Sequence, residues 1–323
     1  MNFRTEIAIQ KPESFQEIDH SAKVLLLGSC FSENIGDKLS YFKFQSHANP
    51  FGVLFHPKAI EDTIVRTVSA KQFLSEEIFF HNEQYHSFEV HSSLSNSDAE
   101  THLNKLNETL KVSYETLKDI THVIITFGTA WVYEYIESKK IVANCHKLPQ
   151  SAFKKRLLSV DEIVKSSETI TSEIGKLNKK CQVIFTVSPV RHLKDGYVEN
   201  QQSKAHLLAA IHQMIANSTP KTLHVSPTYF PSYEIMIDDL RDYRFYKEDM
   251  IHPNQQAVDY IWEKFQDVWV SEEAKTIMNR VQEVQRGLAH KPFNPEGEAH
   301  KKFLINLESK KQKLQEEFTF MKF

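Results

Sequence analysis

Two rhythms of apolar positions run along this chain and place most of its elements. Residues 24–27 form an unbroken apolar run closed by Gly28; residues 122–127, closed by Gly128, and 182–187, closed by Ser188-Pro189, are mainly apolar runs of the same kind. Short continuous runs bounded by turn residues read as strands covered on both faces, as in a parallel sheet between helices. In between, the period changes to 3.6. Residues 58–69, with Ile60, Ile64 and Val68 on one face, and residues 99–117, 160–177, 200–215 and 255–268 are predicted helices. The third of these opens with Ser159 and Glu162, a capping box. Weaker patterns predict strands at 42–44 and 222–225, an edge strand near Phe3 and residues 7–9, and a hairpin of 131–136 with 140–142 turned at Ser138-Lys139.

Two stretches stand apart from that alternation. Residues 71–118 separate core strands and read as an insertion able to cover a site. Within it His81, His86 and His91 are five apart, a spacing that sends neighbours to opposite strand faces, so packing is favoured over a metal site. From 271 onward the pattern is helical and charged. One apolar stripe is Ile277, Val281, Val284 and Leu288; another is Phe303, Leu304, Leu307, Leu314 and Phe318. The expected architecture is α/β, a three-layer α/β/α sandwich with a mainly parallel central sheet. It comprises a main domain at 1–270 and a C-terminal helical extension at 271–323.

Composition narrows the classes. The 323 residues are 41% hydrophobic and 25% charged with a net charge of −3, which gives no basic footprint for nucleic acid or a membrane surface. Residues 1–20 carry acids and no apolar stretch, so no secretory signal is expected. Three cysteines point to a reducing, cytoplasmic setting rather than a disulfide framework. Eight glycines argue against a phosphate-cradling loop, and no cofactor or metal is expected.

The candidate chemistry lies at two distant points. Ser29 follows the glycine that ends the first strand and precedes a helix start, where open α/β sheets bind ligands; a plain turn with a capping serine is the competing reading. Far downstream, Asp249 stands three residues before His252. The carboxylate can thus hold one imidazole nitrogen while the other faces a nucleophile. Beyond the 182–187 strand, Arg191 is a candidate for an anionic substrate group, or a partner for Asp195. His192 is a rival base without a carboxylate three residues before it. Cys30, beside Ser29, is a rival nucleophile.

Gly28-Ser29-Cys30-Phe31-Ser32 resembles the signature of the GSCFA-domain family, with serine where that name has alanine. Asn49-Pro-Phe-Gly52, Phe127-Gly128-Thr129-Ala-Trp131, Asn144-Cys145-His146 and Ser188-Pro189-Val190-Arg191-His192 follow in the family's order, over nearly the whole chain. The resemblance implies an SGNH-hydrolase-like fold and ester hydrolysis by Ser29, His252 and Asp249. It also implies a Gly52 N–H in the oxyanion hole. The usual Gly-x-Asn is absent after the 122–127 strand, leaving Thr129 or Asn144 as candidate donors. The implied substrate is a small-molecule or carbohydrate ester. An acyltransferase with the same triad, or a binding protein on this frame, are the alternatives.

Overall fold

The computed structural model describes residues 6–12, 15–218 and 225–323. In chain order come β1 (Lys23–Gly28), α1 (Cys30–Tyr41), β2 (Gln45–Ala48), α2 (Pro57–Val68), β3 (Phe79–His81), β4 (Gln84–His86) and α3 (Ala99–Asp119). There follow β5 (His122–Phe127), β6 (Trp131–Tyr135), β7 (Lys140–Val142), β8 (Phe153–Leu157), α4 (Val160–Leu177), β9 (Gln182–Val187) and α5 (Tyr197–Asn217). The chain ends with β10 (Pro227–Phe230), α6 (Ser232–Glu234, continued by a π-helical turn), α7 (Gln255–Trp269), α8 (Glu272–Ala289) and α9 (Glu298–Glu317). The central sheet has the order β10-β9-β5-β1-β2, and every pairing in it is parallel.

The apolar runs sit where their pattern put them. Alternate residues of β1 and β5 point to opposite sides. Leu25, Leu27, Val123 and Ile125 join the core beneath α2, α4 and α5, while Val24, Leu26 and Ile124 join that beneath α1 and α7. Each such side chain taken out of water contributes about 1.5–3 kcal/mol, so burial on both faces is what holds the layers. Ala274 and Met278 of α8 belong to the second core. Ile277, Val281 and Val284 instead meet Leu307 and Leu314 of α9 in a cluster of their own. Leu288, Phe303 and Leu304 remain at the surface. Among the described residues no helix is long and apolar enough to cross a membrane.

Some expectations shift. The second strand lies at Gln45–Ala48 rather than 42–44, because Lys43 takes a left-handed φ of 61° and Phe44 turns inward onto His20. Of the 222–225 strand only Val225 falls within the described residues; the fifth strand is Pro227–Phe230. Phe3 lies outside the described residues, and residues 7–9 form no strand. The expected hairpin is β6–β7, with Lys139 at its turn (φ 55°), and β8 pairs along its other edge.

In the 71–118 stretch, β3 and β4 form a separate hairpin above a cluster of Phe51, Phe73, Val90, Leu94, Leu106 and Leu110. Arg66 of α2, almost fully buried, ties it down. Its guanidinium donates to Glu77 (2.7 Å) and Glu89 (2.6 Å) and stacks on Phe73.

Candidate active site

β1 ends at Gly28, whose φ of +133° and close approach to Thr126 exclude any side chain: a Cβ would lie 2.1 Å from the Thr126 oxygen. The chain can therefore turn at once into α1, with Ser29 as N-cap, its Oγ accepting from Phe31 N–H at 3.3 Å. Ser29 is fully buried and Cys30 half-buried beside it. Ser32, the departure from the family signature, hides its hydroxyl between Thr126 Oγ1 (2.9 Å) and the acceptor Leu27 O (3.2 Å).

Asp249 and His252 meet as their spacing predicts. Asp249 Oδ2 lies 2.7 Å from His252 Nδ1, and Oδ1 accepts from the N–H groups of Ile251 and His252. The His252 N–H, the imidazole and the Ile251 N–H together hold the Asp249 carboxyl well below the usual carboxylate range. The carboxylate orients the ring, which leaves Nε2 as the outward nitrogen. This loop is fastened to the end of β9: Arg191 N–H donates to Ile251 O at 3.2 Å, and the Arg191 guanidinium stacks on Tyr246 at 4.3 Å. Arg191 does not pair with Asp195, which bonds Lys155 instead. His252 stands close enough to His192 for a proton on one ring to oppose a proton on the other. No hydrogen bond joins Ser29 Oγ to His252 in this arrangement; the two share a rim, as do the ends of β1, β5 and β9.

The expected backbone donors to an oxyanion are already engaged. Gly52 N–H closes a turn onto Asn49 O (2.7 Å), in a left-handed conformation with φ of +75°. Thr129 N–H donates to Phe55 O (3.0 Å), and its hydroxyl accepts from Trp131 N–H while facing Ser203 Oγ. Asn144 Oδ1 accepts from His146 N–H (2.8 Å) in its own turn. Ser29 N–H continues the sheet ladder onto Thr126 O (3.1 Å). Cys30 N–H, the first of α1, has no intrahelical acceptor, as helix geometry requires of first-turn donors.

Three groups around Ser29 take parts that the reading of the sequence does not give them; of these Lys204 is not singled out there at all, and His192 is read there only as a rival base. Asn49 Oδ1 accepts from Gly28 N–H (2.9 Å), leaving Nδ2 buried without a partner. Lys204 of α5, also buried, donates from Nζ to Gly128 O and Ser188 O, both at 2.7 Å, joining the ends of β5 and β9. Burial lowers its pKa to about 7. His192 Nε2 is the third, buried and unpartnered. A Cβ placed on Gly128 would lie 3.1 Å from that nitrogen and 3.3 Å from Ser29 Cβ, so only a glycine separates the two side chains. A buried lysine on a helix and an orphaned imidazole follow from tertiary contacts, and no local pattern announces them.

The GSCFA family model matches residues 23–265, and that of the GSCFA domain protein C-terminal domain matches residues 281–323. No curated protein matches the chain. Among solved structures, a carbohydrate esterase family 3 protein from Talaromyces cellulolyticus is similar at 8% identity. The match has a TM-score of 0.38 and covers 81% of this chain and 99% of that one.

Proposed function

The chain belongs to the GSCFA family, and from that premise and the geometry of the rim we propose that it is a serine ester hydrolase. The observation that carries the reading is the Asp249–His252 pair, 2.7 Å apart with the second imidazole nitrogen unencumbered, on the rim where Ser29 caps α1. Serine is inert at its own pKa and needs such a base. Ser29 Oγ attacks the ester carbonyl as His252 Nε2 takes its proton. Asp249 stabilises the imidazolium, which then protonates the departing alkoxide. Water repeats the sequence on the acyl-enzyme. Cys30 N–H follows the nucleophile at the positive end of α1, the position from which a backbone donor reaches an oxyanion.

The acyl group we assign is small, such as acetyl, because Phe55, Gly128 and His192 crowd the buried Ser29. Arg191, with Tyr246 beneath it and no carboxylate bound among the described residues, suits an anionic group on a carbohydrate or metabolite alcohol. Hydrolysis of p-nitrophenyl acetate tests the core of this reading. Ser29→Ala is expected to lower kcat by about 10⁴-fold or more. A variant retaining the parent rate, or faster transfer to an added alcohol than to water, would replace hydrolysis by Ser29 with another assignment.

A further inference from the structure

The oxyanion hole of this site is short of a side-chain donor. Among the candidates that resemblance supplies, the N–H groups of Ser29, Gly52 and Thr129 already serve backbone carbonyls, and Asn144 is tied through its carbonyl oxygen to His146 N–H in a turn of its own. His192 is placed differently. Among the described residues its imidazole has no hydrogen-bond partner, its Nε2 is buried, and that nitrogen faces Ser29 across the bare Cα of Gly128. The ring is nonetheless held: Phe55 packs edge-on at 5.6 Å, His192 N–H donates to Asn200 Oδ1 at 2.8 Å, and Arg191 anchors the segment to the loop bearing His252. A buried polar atom with no partner costs about 1–3 kcal/mol, so a fixed one beside a nucleophile is a site waiting for an acceptor.

Resting on the hydrolase reading above, we propose that His192 is a catalytic residue whose Nε2–H donates to the ester carbonyl oxygen and to the oxyanion it becomes. When Ser29 Oγ bonds to the carbonyl carbon, the π pair moves onto that oxygen and the serine proton goes to His252. Collapse re-forms the carbonyl, expels the alkoxide and returns the proton to it. His192 keeps its proton throughout and takes over what an asparagine amide does elsewhere. It is poorly made for the base role. No carboxylate faces it, and its basic neighbours, Lys204 from α5 and His252 from the adjoining loop, both disfavour a positive charge on it. Burial together with these neighbours lowers its pKa to about 3, so the ring is neutral and retains one N–H for donation.

Asn49 Nδ2, at the end of β2, is the rival donor. Its remaining polar groups all close the turn beside Gly28, which gives that side chain a structural reason to be there.

The test is the rate at which a fluorophosphonate labels Ser29 in the parent, His192→Leu, His192→Gln and Asn49→Ala, with thermal unfolding as a fold check. Loss of one oxyanion donor is expected to slow His192→Leu by about 10²–10³-fold. His192→Gln, which keeps an amide N–H near the Nε2 position, recovers most of the rate. His192→Met replaces the leucine variant if that one does not fold. Labelling of the donorless variant at the parent rate overturns the proposal. So does a glutamine variant as slow as leucine, which would make His192 a base, or a loss confined to Asn49→Ala. A parent that fails to label at Ser29 removes the hydrolase reading and this inference together, whereas the other outcomes leave that reading standing.

Discussion

Two sets of histidines in this protein look alike in sequence and differ in the structure. Along the seam with the 71–118 stretch, imidazole nitrogens hold backbone. His56 Nε2 meets Val142 O (3.0 Å) while its Nδ1 accepts from Ala59 N–H. His86 bridges Ser95 and His81 O, His102 meets Leu94 O, and His146 meets Ser87 O. On the rim of the sheet the pattern reverses: His252 is held by a carboxylate with one nitrogen left over, and His192 has no partner. Each ring of the first set spends at least one nitrogen on the fold, although His102 Nε2 and His146 Nδ1 are also buried without a partner. In the second neither ring holds a backbone group and both stand on the rim that bears Ser29, and that difference separates stabilising from reactive histidines here.

The strongest way to break this contrast is to remove the carboxylate from the rim. Asp249→Asn can still accept the Ile251 and His252 N–H groups through Oδ1. However, its Nδ2 favours the imidazole tautomer with the proton on the wrong nitrogen. We expect kcat on p-nitrophenyl acetate to fall by about 10⁴-fold while thermal unfolding barely changes. A loss under tenfold would mean that the pair merely shapes a surface loop.

The seam histidines should reveal themselves in stability rather than rate. Burial pushes His56 and His146 down to about 4. In His56 both nitrogens are committed, so a second ring proton must break the cap at Ala59 N–H. Unfolded chains protonate these rings near the ordinary 6.5, whereas the folded state resists until about 4. Between those values the unfolded state binds more protons. The stability that neutral imidazole provides is complete above pH 6.5 and lost as pH falls toward 4. Each ring is worth roughly 3 kcal/mol over that window by the conversion of 1.36 kcal/mol per unit. Urea unfolding at pH 7 and pH 4.5 measures it. His56→Asn, able to cap α2 without titrating, should flatten the dependence, and an unchanged slope would count against the assignment.

Much of this was legible in advance, and the parts that were not share a cause. Fully buried strands announce themselves because both faces are apolar, so 24–27, 122–127 and 182–187 were readable, as were helices with one apolar stripe. β8 was not. Its Phe153-Lys-Lys-Arg-Leu157 exposes two lysines on the edge of a small sheet, and nothing apolar alternates there. The Asp249–His252 pair was readable because three residues of loop suffice to join them. Donors for an oxyanion were not, since whether Gly52 has a free N–H depends on how the Asn49 turn closes, and whether Thr129 has one depends on a Phe55 carbonyl brought in by tertiary packing. His192 was judged by the lack of a carboxylate nearby in sequence, which is the feature that suits it to donation rather than to proton transfer.

The smallest expected effect concerns the thiol next to the serine. A cysteine acts as a nucleophile through its thiolate, and positive surroundings are what lower its pKa enough for that. Cys30 has Lys204 and Lys247 near enough to pull in that direction. Burial and the Glu33 carboxylate outweigh them, and the thiol is pushed up from its ordinary value. At neutral pH it therefore stays protonated, a small half-buried group next to Ser29. Cys30→Ala keeps the backbone N–H at the start of α1 and should change kcat on p-nitrophenyl acetate by less than about tenfold, because only loss of a nucleophile or an oxyanion donor costs about 100-fold or more. Iodoacetamide at pH 7 should likewise modify Cys30 slowly, as mass spectrometry of the intact protein would follow. Activity abolished in Cys30→Ala yet preserved in Ser29→Ala would move the nucleophile one residue along, from the cap of α1 to its first turn.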